Sequence, residues 1–170
     1  MSRLAAKPPS ASEVEMTELV LPQHTNARGT AFGGTIVSWV DIAAATCAMR
    51  HARMGVVTAS IDAMHFLAPV KLGWVVKILA SVNFTGTTSC EVGVKIQAEN
   101  PISGLTYHTA TAYVTLVSLD DNGRPTKMPP ISPETDEQKK RLEDAKLRRQ
   151  SRLELRSAIK KKRSHSQVIK

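Results

Sequence analysis

The sequence predicts an α+β domain in which one curved antiparallel sheet wraps a single long helix. Three observations carry this. An Ala-rich helical pattern runs from about Gly33 to Arg53. After it the apolar residues change from helical spacing to strand alternation and keep that alternation through four successive segments. Turn formers, rather than further helices, join those segments: Pro69 with Gly73, Gly86-Thr87-Thr88, and Asn100-Pro101 with Gly104. One helix followed by consecutive antiparallel strands is the α+β pattern.

Taken in order, residues 1–11 are rich in Pro, Ser and Ala and are expected to be disordered. Residues 12–130 form the domain. Glu13 to Leu21 reads as a strand that enters a loop at Pro22. That loop, LPQHTNARGTAFGG, ends where the helix begins. Ile36, Val37, Val40, Ala43, Ala44, Cys47 and Ala48 give the helix a broad apolar stripe, and their small size suits close packing against a sheet. Gly55 is placed to cap the helix C-terminus. From Val57 the set Val57, Ala59, Ile61, Ala63, His65 and Leu67 alternates with Thr58, Ser60, Asp62, Met64 and Phe66. The next strand puts Val76, Ile78, Ala80, Val82 and Phe84 inside, with Lys77, Ser81 and Asn83 outside. The third puts Cys90, Val92, Val94, Ile96 and Ala98 inside, with Glu91, Lys95, Gln97 and Glu99 outside. The fourth runs from Leu105 to Leu119 and stops at Asp120-Asp121-Asn122-Gly123. An open sheet of this kind has exposed edges, and pairing them between two copies favours a dimer. Residues 131–170 form a charged tail, helical over about 134–163 and without a clean apolar stripe.

Composition narrows the class. The chain has 170 residues, 42% hydrophobic, ordinary for one globular domain. No apolar stretch is long enough to span a bilayer, so no membrane is expected as a partner. The first residues, MSRLAAKPPSASE, lack the apolar core of a signal peptide, and a cytoplasmic location is expected. Cys47 and Cys90 stand in no C-x-x-C pair and read as small buried hydrophobes. The five histidines show no i, i+4 pair, so no metal site is expected. Of the net charge of +8, residues 134–170 carry +7, from 13 Lys and Arg against 6 Asp and Glu. Nucleic acid is an unfavoured partner for this tail, which has no aromatic residue and no recognisable binding motif.

Asp41 is the most informative position. It lies mid-helix among Val37, Ser38, Ala44 and Ala45 at helical neighbour spacing. An ionised carboxylate among apolar neighbours is costly unless paired. Gly33-Gly34 opens the same helix, so unpaired N–H groups and the helix dipole favour negative charge there, such as a developing oxyanion. Asn26 adds a neutral donor and acceptor. His24 and His65 are candidate bases, His24 the better placed. Asp41 follows Gly34 by seven residues, about 10 Å along the helix axis. A carboxylate and an oxyanion donor must both lie about 3 Å from the reacting group. One helix cannot readily supply both, so the site is expected to be shared by two protomers.

The stretch HTNARGTAFGGTIVSWVDIAAATCAMRHARMGVVTASIDAMHFLAPVKLG then resembles the hotdog-fold acyl-CoA thioesterases, both the bacterial hexameric enzymes and the eukaryotic cytosolic and brain acyl-CoA hydrolases. The resemblance extends through GTTSCEVGVKIQAEN and covers roughly residues 13–130. It rests on Asn26, Gly29, Phe32-Gly33-Gly34, Trp39 and Asp41 together with Val57-Thr58 and Phe66-x-x-Pro69-Val70. It implies a hotdog fold, hydrolysis of acyl-CoA to fatty acid and CoA, and a dimer of hotdogs assembled to a hexamer. It implies that Asn26 and Asp41 from different protomers flank the thioester, with Gly33 and Gly34 polarising its carbonyl. Contacts to CoA are expected at Arg28, Val57, Thr58, Thr87, Thr88, Ser89 and Lys127. No cofactor is implied, because CoA is part of the substrate. The sequence departs from the family where Trp74, rather than an acidic residue, follows Gly73. Two alternatives stand beside this reading. One is a hotdog 3-hydroxyacyl thioester dehydratase, for which His24 would have to serve as base. The other is an acyl-CoA-binding regulatory module using the basic tail on nucleic acid.

Overall fold

The computed structural model describes residues 4–166, with side-chain surroundings through residue 162. Met1 to Arg3 of the N-terminal segment and residues 167–170 of the tail lie outside the described residues. The chain divides into two compact units, Met1–Ser132 and Pro133–Lys170. The break follows shortly after Pro129-Pro130, where the sequence predicts the domain to end.

The first unit comprises β1 (Val14–Leu19), α1 (Gly33–Ala52), β2 (Gly55–Ile61), β3 (Val75–Thr85), β4 (Ser89–Glu99) and β5 (Thr106–Leu119). The strands form one antiparallel sheet in the order β1-β3-β4-β5-β2. It curls around α1, which packs on all five strands. This is the α+β hotdog arrangement that the sequence predicts. Ile36, Val40, Ala43, Ala44, Cys47 and Ala48 of α1 are buried, with Trp39 beside them. They meet the inward rows of β3 (Val76, Ile78, Ala80, Val82), β4 (Cys90 to Ala98 on alternate residues) and β5 (Ala110, Ala112, Val114, Leu116). The alanines let the helix approach the sheet, and each β-branched residue buried there contributes about 1.5–3 kcal/mol. Cys47 and Cys90 are free and buried within this core. Burial pushes both thiols up to about 12.

Several expectations need correction. The N-terminal segment is ordered from Lys7 to Ala11: Lys7 bridges Ile131, its N–H donates to Pro130 O (2.9 Å), and Pro9–Ala11 form a short 3-10 turn. Backbone pairing with residues 130–132 supplies the order that composition does not. The strand after the helix stops at Ile61, not Leu67, because β5 continues to pair only through Asp62 N and Leu67 N. Of its two alternating sets, the one with Thr58 rather than the more apolar one with Val57 faces α1 at the start of the strand. Val56 packs on the core and Thr58 reaches α1, whereas Val57 and Ile61 are exposed. A one-residue slip exchanges the two faces of a strand, and the Val, Thr, Ala and Ser of β2 fit either. Arg53, not Gly55, caps α1 in the left-handed region (φ 57°), with its N–H on Met49 O (2.8 Å). Glu91, expected in solvent, is buried and partnered; it stands between Phe84 of β3 and Thr115 of β5. Ser81 and Asn83 are buried too. Asn83 sits at the β3 bulge with its side-chain amide over Gly93, where a Cβ would come within 2.4 Å of Nδ2.

The second unit is α2 (Asp136–Ser166). A capping box starts it: Gln138 N–H donates to Thr135 Oγ1 and Thr135 N–H to Gln138 Oε1, both 3.2 Å. Side-chain pairs one turn apart follow, including Lys139–Asp136 and Lys146–Glu143. No helix among the described residues is long and apolar enough to cross a membrane.

Candidate active site

The helix α1 has two faces. One is the buried stripe. The other carries Ser38, Asp41, Ile42 and Met49, and of these only Asp41 is half-buried rather than exposed. The expectation of a carboxylate on a buried helix face is thereby refined. Asp41 stands at the border between core and surface. Its Oδ1 accepts a hydrogen bond from Thr58 Oγ1 of β2 at 2.6 Å. Among the described residues its other oxygen has no partner. A short bond to an ionised carboxylate is the strong kind, and it fixes the plane of the carboxyl group. The pairing register of β2 shifts between Thr58 and Ser60, leaving Ala59 as an extra residue next to the hydroxyl. Bulges of this kind re-aim a side chain. Sequence reading assigned Thr58 to CoA and missed this partnership, which only the phase of β2 reveals.

The helix start is open. Phe32 is the N-cap residue and supplies no side-chain cap. Its carbonyl accepts Thr35 N–H (2.9 Å) and Ile36 N–H (3.3 Å), while the N–H groups of Gly33 and Gly34 have no acceptor among the described residues. They form the positive end of the α1 dipole. A Cβ on Gly34 would approach the exposed Phe32 ring to 2.5 Å, so a side chain there would displace that ring from the opening turn. Beside this end lies a cavity of about 360 Å³ lined by Ala31, Gly33, Ile36, Phe66, Leu67 and Val70, among others.

Asn26 is exposed and built into the preceding loop. Its Oδ1 accepts Arg28 N–H (2.9 Å), and its Nδ2 donates to Thr30 Oγ1 (3.0 Å). One Nδ2 hydrogen remains for an outside acceptor. His24 is engaged otherwise. Its Nδ1 accepts Leu21 N–H (3.2 Å), and its ring meets Trp39 edge-on at 5.2 Å. His65 is exposed in the segment after β2.

The residues expected to touch CoA fall into two groups. Val57 and Ser89 both pair with Val117. Ser118 N–H and Oγ donate to Thr88 O (2.9 and 3.1 Å), and Met128 N–H donates to Thr87 O (3.0 Å), so Thr87, Thr88, Ser89 and Lys127 gather near the start of β2. Arg28 lies at the other end of the sheet, where Leu72 N–H binds Gly29 O (3.1 Å) just before β3. A single chain does not bring Arg28 to the others. Trp74, the departure from the family pattern, stacks on Tyr107 (5.4 Å) with Lys71 Nζ 5.9 Å from its ring centroid. Among the described residues, no three His, Cys, Asp or Glu side chains are grouped to hold a metal ion.

Exposed apolar residues stand near Asp41 and Thr58 on both faces of the β2 edge, Val57 on the face away from α1. Ile42 on α1 and Val57 and Ile61 on β2 are all exposed, and β2 is an edge strand. What the arrangement offers chemically is one oriented carboxylate, one hydroxyl holding it, and a separate set of N–H donors at the helix start.

Known proteins share this arrangement of elements. Residues 28–104 match the model of the thioesterase superfamily. The uncharacterized acyl-CoA thioester hydrolase YkhA of Bacillus subtilis is 40% identical over 127 residues, which is 75% of this chain and 74% of that one. The structure of an acyl-CoA hydrolase from Staphylococcus aureus, solved with butyryl-CoA, CoA and CoA disulfide, aligns with a TM-score of 0.86 at 37% identity over 94% of this chain and 98% of that one. Variants of that enzyme with an aspartate, an asparagine or a threonine changed to alanine have the same fold. A hexameric acyl-CoA thioesterase aligns with a TM-score of 0.86 at 36% identity, covering 89% of this chain and 97% of that one. The chain belongs to the thioesterase superfamily, among its acyl-CoA hydrolases.

Proposed function

We propose that the protein hydrolyses acyl-CoA thioesters, with Asp41 as the catalytic carboxylate in a site completed by a second copy of the chain. The observation that carries this reading is the half-buried Asp41 carboxylate held by Thr58 at 2.6 Å on an open sheet edge. With Oδ1 occupied, Oδ2 takes a proton from water as the water oxygen attacks the thioester carbon. The C–S bond then breaks, and the CoA thiolate leaves with that proton. The Gly33 and Gly34 N–H groups and the spare Asn26 hydrogen bind the carbonyl oxygen as it gains charge. In the alternative route Oδ2 attacks the carbon itself and forms a mixed anhydride that water opens. The reaction calls on no cofactor, since CoA enters and leaves with the substrate. The acyl chain runs into the cavity beside Phe66 and Leu67, and CoA extends over Val57, Thr87, Thr88, Ser89 and Lys127 of one copy and Arg28 of the other.

Two features support the shared site. In one chain the Gly33–Gly34 end lies about 10 Å along the helix from Asp41. The edge of β2, with its apolar rim, is the kind of surface that a second copy covers. Three such pairs would make the hexamer named for the relative above. The substituted residues of the Staphylococcus enzyme lend support as well. From asparagine to aspartate they are fifteen residues apart and from aspartate to threonine seventeen, the separations of Asn26, Asp41 and Thr58.

A panel of acyl-CoAs from acetyl to palmitoyl, assayed for released thiol, tests the reaction and its chain length together. Turnover should vanish in Asp41→Ala and in Asn26→Ala, and return in part when the two inactive proteins are unfolded, mixed and refolded. Hybrid dimers then hold one intact site. No recovery from the mixture would overturn the shared site, and near-normal hydrolysis by Asp41→Ala would overturn the catalytic assignment. Label in the Asp41 carboxylate after a single turnover in ¹⁸O-water would establish the anhydride path, because general-base attack puts label only in the acid product. The dehydratase alternative would have to use His24 Nε2 as its base, since Nδ1 faces Leu21 N–H and Leu19 O.

A further inference from the structure

The second unit has a chemistry that the hydrolase site does not use. Residues 146–162 of α2 hold eight Lys and Arg and one acidic residue, Glu154. Within this stretch Leu147 and Leu155 are each 64% exposed and Ile159 is 44% exposed. At 3.6 residues per turn these three fall within about a third of the helix circumference, with Ser151 and Ala158 between them. Arg149, Arg156 and Lys160 fall on the opposite side and Arg152 borders the arc, while Arg148 and Lys162 stand inside it, where their long stems can lie along the apolar residues with the charge at the surface. Leu153 stands alone among the basic residues. Three large aliphatic side chains held in water on a strongly cationic helix form an amphipathic surface.

From this we infer that the distal half of α2 binds an anionic lipid surface, lying in the interface plane with Leu147, Leu155 and Ile159 among the acyl chains and the flanking Lys and Arg on the headgroups. Charge complementarity sets the choice of occupant. A second copy of the helix would bring the same excess of positive charge against it. A nucleic acid would satisfy the cations and leave the three aliphatic residues in water, and the helix offers no aromatic residue to stack on a base. A bilayer with acidic headgroups takes both. The inference concerns contact in the interface plane, not a span, and departs from the expectation that membranes play no part. It does not depend on the hydrolase reading.

The test is partition of the full-length protein onto sedimenting vesicles of phosphatidylcholine alone or mixed with phosphatidylserine. Binding is expected on the mixed vesicles only, and added salt should release it. Leu147→Gln/Leu155→Gln/Ile159→Gln keeps charge and helix propensity and should weaken partition at least about tenfold. Arg156→Gln/Lys160→Gln/Lys161→Gln should weaken it about a hundredfold. The thermal midpoint of each variant, unchanged from the parent, shows that the fold is intact. No partition of the parent protein overturns the inference. So does full retention by the Leu/Ile variant, which would reduce the effect to bulk charge. Tighter binding to an RNA oligonucleotide, lost only in the charge variant, would assign the helix to nucleic acid instead.

Discussion

Replacing Thr58 by Val separates two roles that the sequence cannot tell apart. The hydroxyl either orients Asp41 or touches CoA. Val keeps the shape and β-propensity of Thr and removes only the donor. Thr58 is exposed on an edge strand, so stability should change by less than about 0.5 kcal/mol. The lost bond is short, 2.6 Å, and its acceptor is a carboxylate. Bonds of that class are worth about 1.5–3 kcal/mol. If the full effect falls on the transition state, about 2 kcal/mol lowers kcat by about thirtyfold. Thr58→Ser should recover most of that. The decisive measurement is a double-mutant cycle with Asp41→Ala, read as residual thiol release. A positioning residue has nothing left to position in that background, so Thr58→Val should cost nothing further, and KM for CoA esters should stay level throughout. Equal losses in both backgrounds, or a loss confined to KM, would refute the positioning role and return Thr58 to the CoA contacts.

Other predictions follow from the backbone and the core. Gly34→Ala drives a methyl into the Phe32 ring at the opening turn of α1; kcat should fall while Phe32→Ala in the same chain restores part of it, and an unchanged rate would deny the turn its role. Arg53 holds the left-handed C-cap at φ 57°, so Arg53→Gly should raise stability by about 1 kcal/mol in urea unfolding. His51 is fully buried; burial lowers its pKa, the Pro129 carbonyl opposes that, and Lys7 adds to it. The unfolded chain therefore binds the proton first as pH falls, and the thermal midpoint should be flat above about pH 6.5 and decline below it. That decline should flatten in His51→Gln, and a slope that persists would trace it to other groups.

The parts of this protein legible in its sequence are those fixed by repetition. The inward rows of β3 and β4 alternate without interruption over many residues, and a long run averages out local ambiguity. α1 was legible for the same reason, with Trp39, His51 and Ala52 the buried residues outside the predicted stripe. What depends on a single residue of phase was not legible. β2 is short, sits at the edge, and contains a bulge, so its pattern fits both faces. That one ambiguity hid the Thr58–Asp41 bond, the central contact of the site. The ordered N-terminal segment was hidden for another reason. Its partners are residues 130–132, and a Pro-rich composition says nothing about a backbone pairing across the length of the domain. Gly33-Gly34 was readable as a helix start because the helical pattern begins there, and the N-cap Phe32 has no polar side chain to close it, whereas the contacts of His24 with Leu21, Leu19 and Trp39 needed coordinates.

The position of Asp41 also bears on why the proposed site would need a second copy. A helix wrapped by a curved sheet can bury apolar residues on most of its circumference. The carboxylate has only the remaining strip, and that strip opens toward the β2 edge. There the carboxylate is half-exposed to water and is oriented by Thr58. Water in bulk would screen it and compete for the thioester, so the strip must be covered when substrate is present. The exposed Ile42 and Ile61, and Val57 on the other face of β2, are what a covering surface would bury, and the N–H donors of Gly33 and Gly34 are what that surface would have to bring. The chain carries both halves, about two helical turns apart and facing different places. Pairing two copies across β2 meets the demands of the sheet edge, the apolar rim and the carbonyl oxygen in one step. A point substitution that charges the rim, such as Val57→Asp, should therefore remove activity and assembly together.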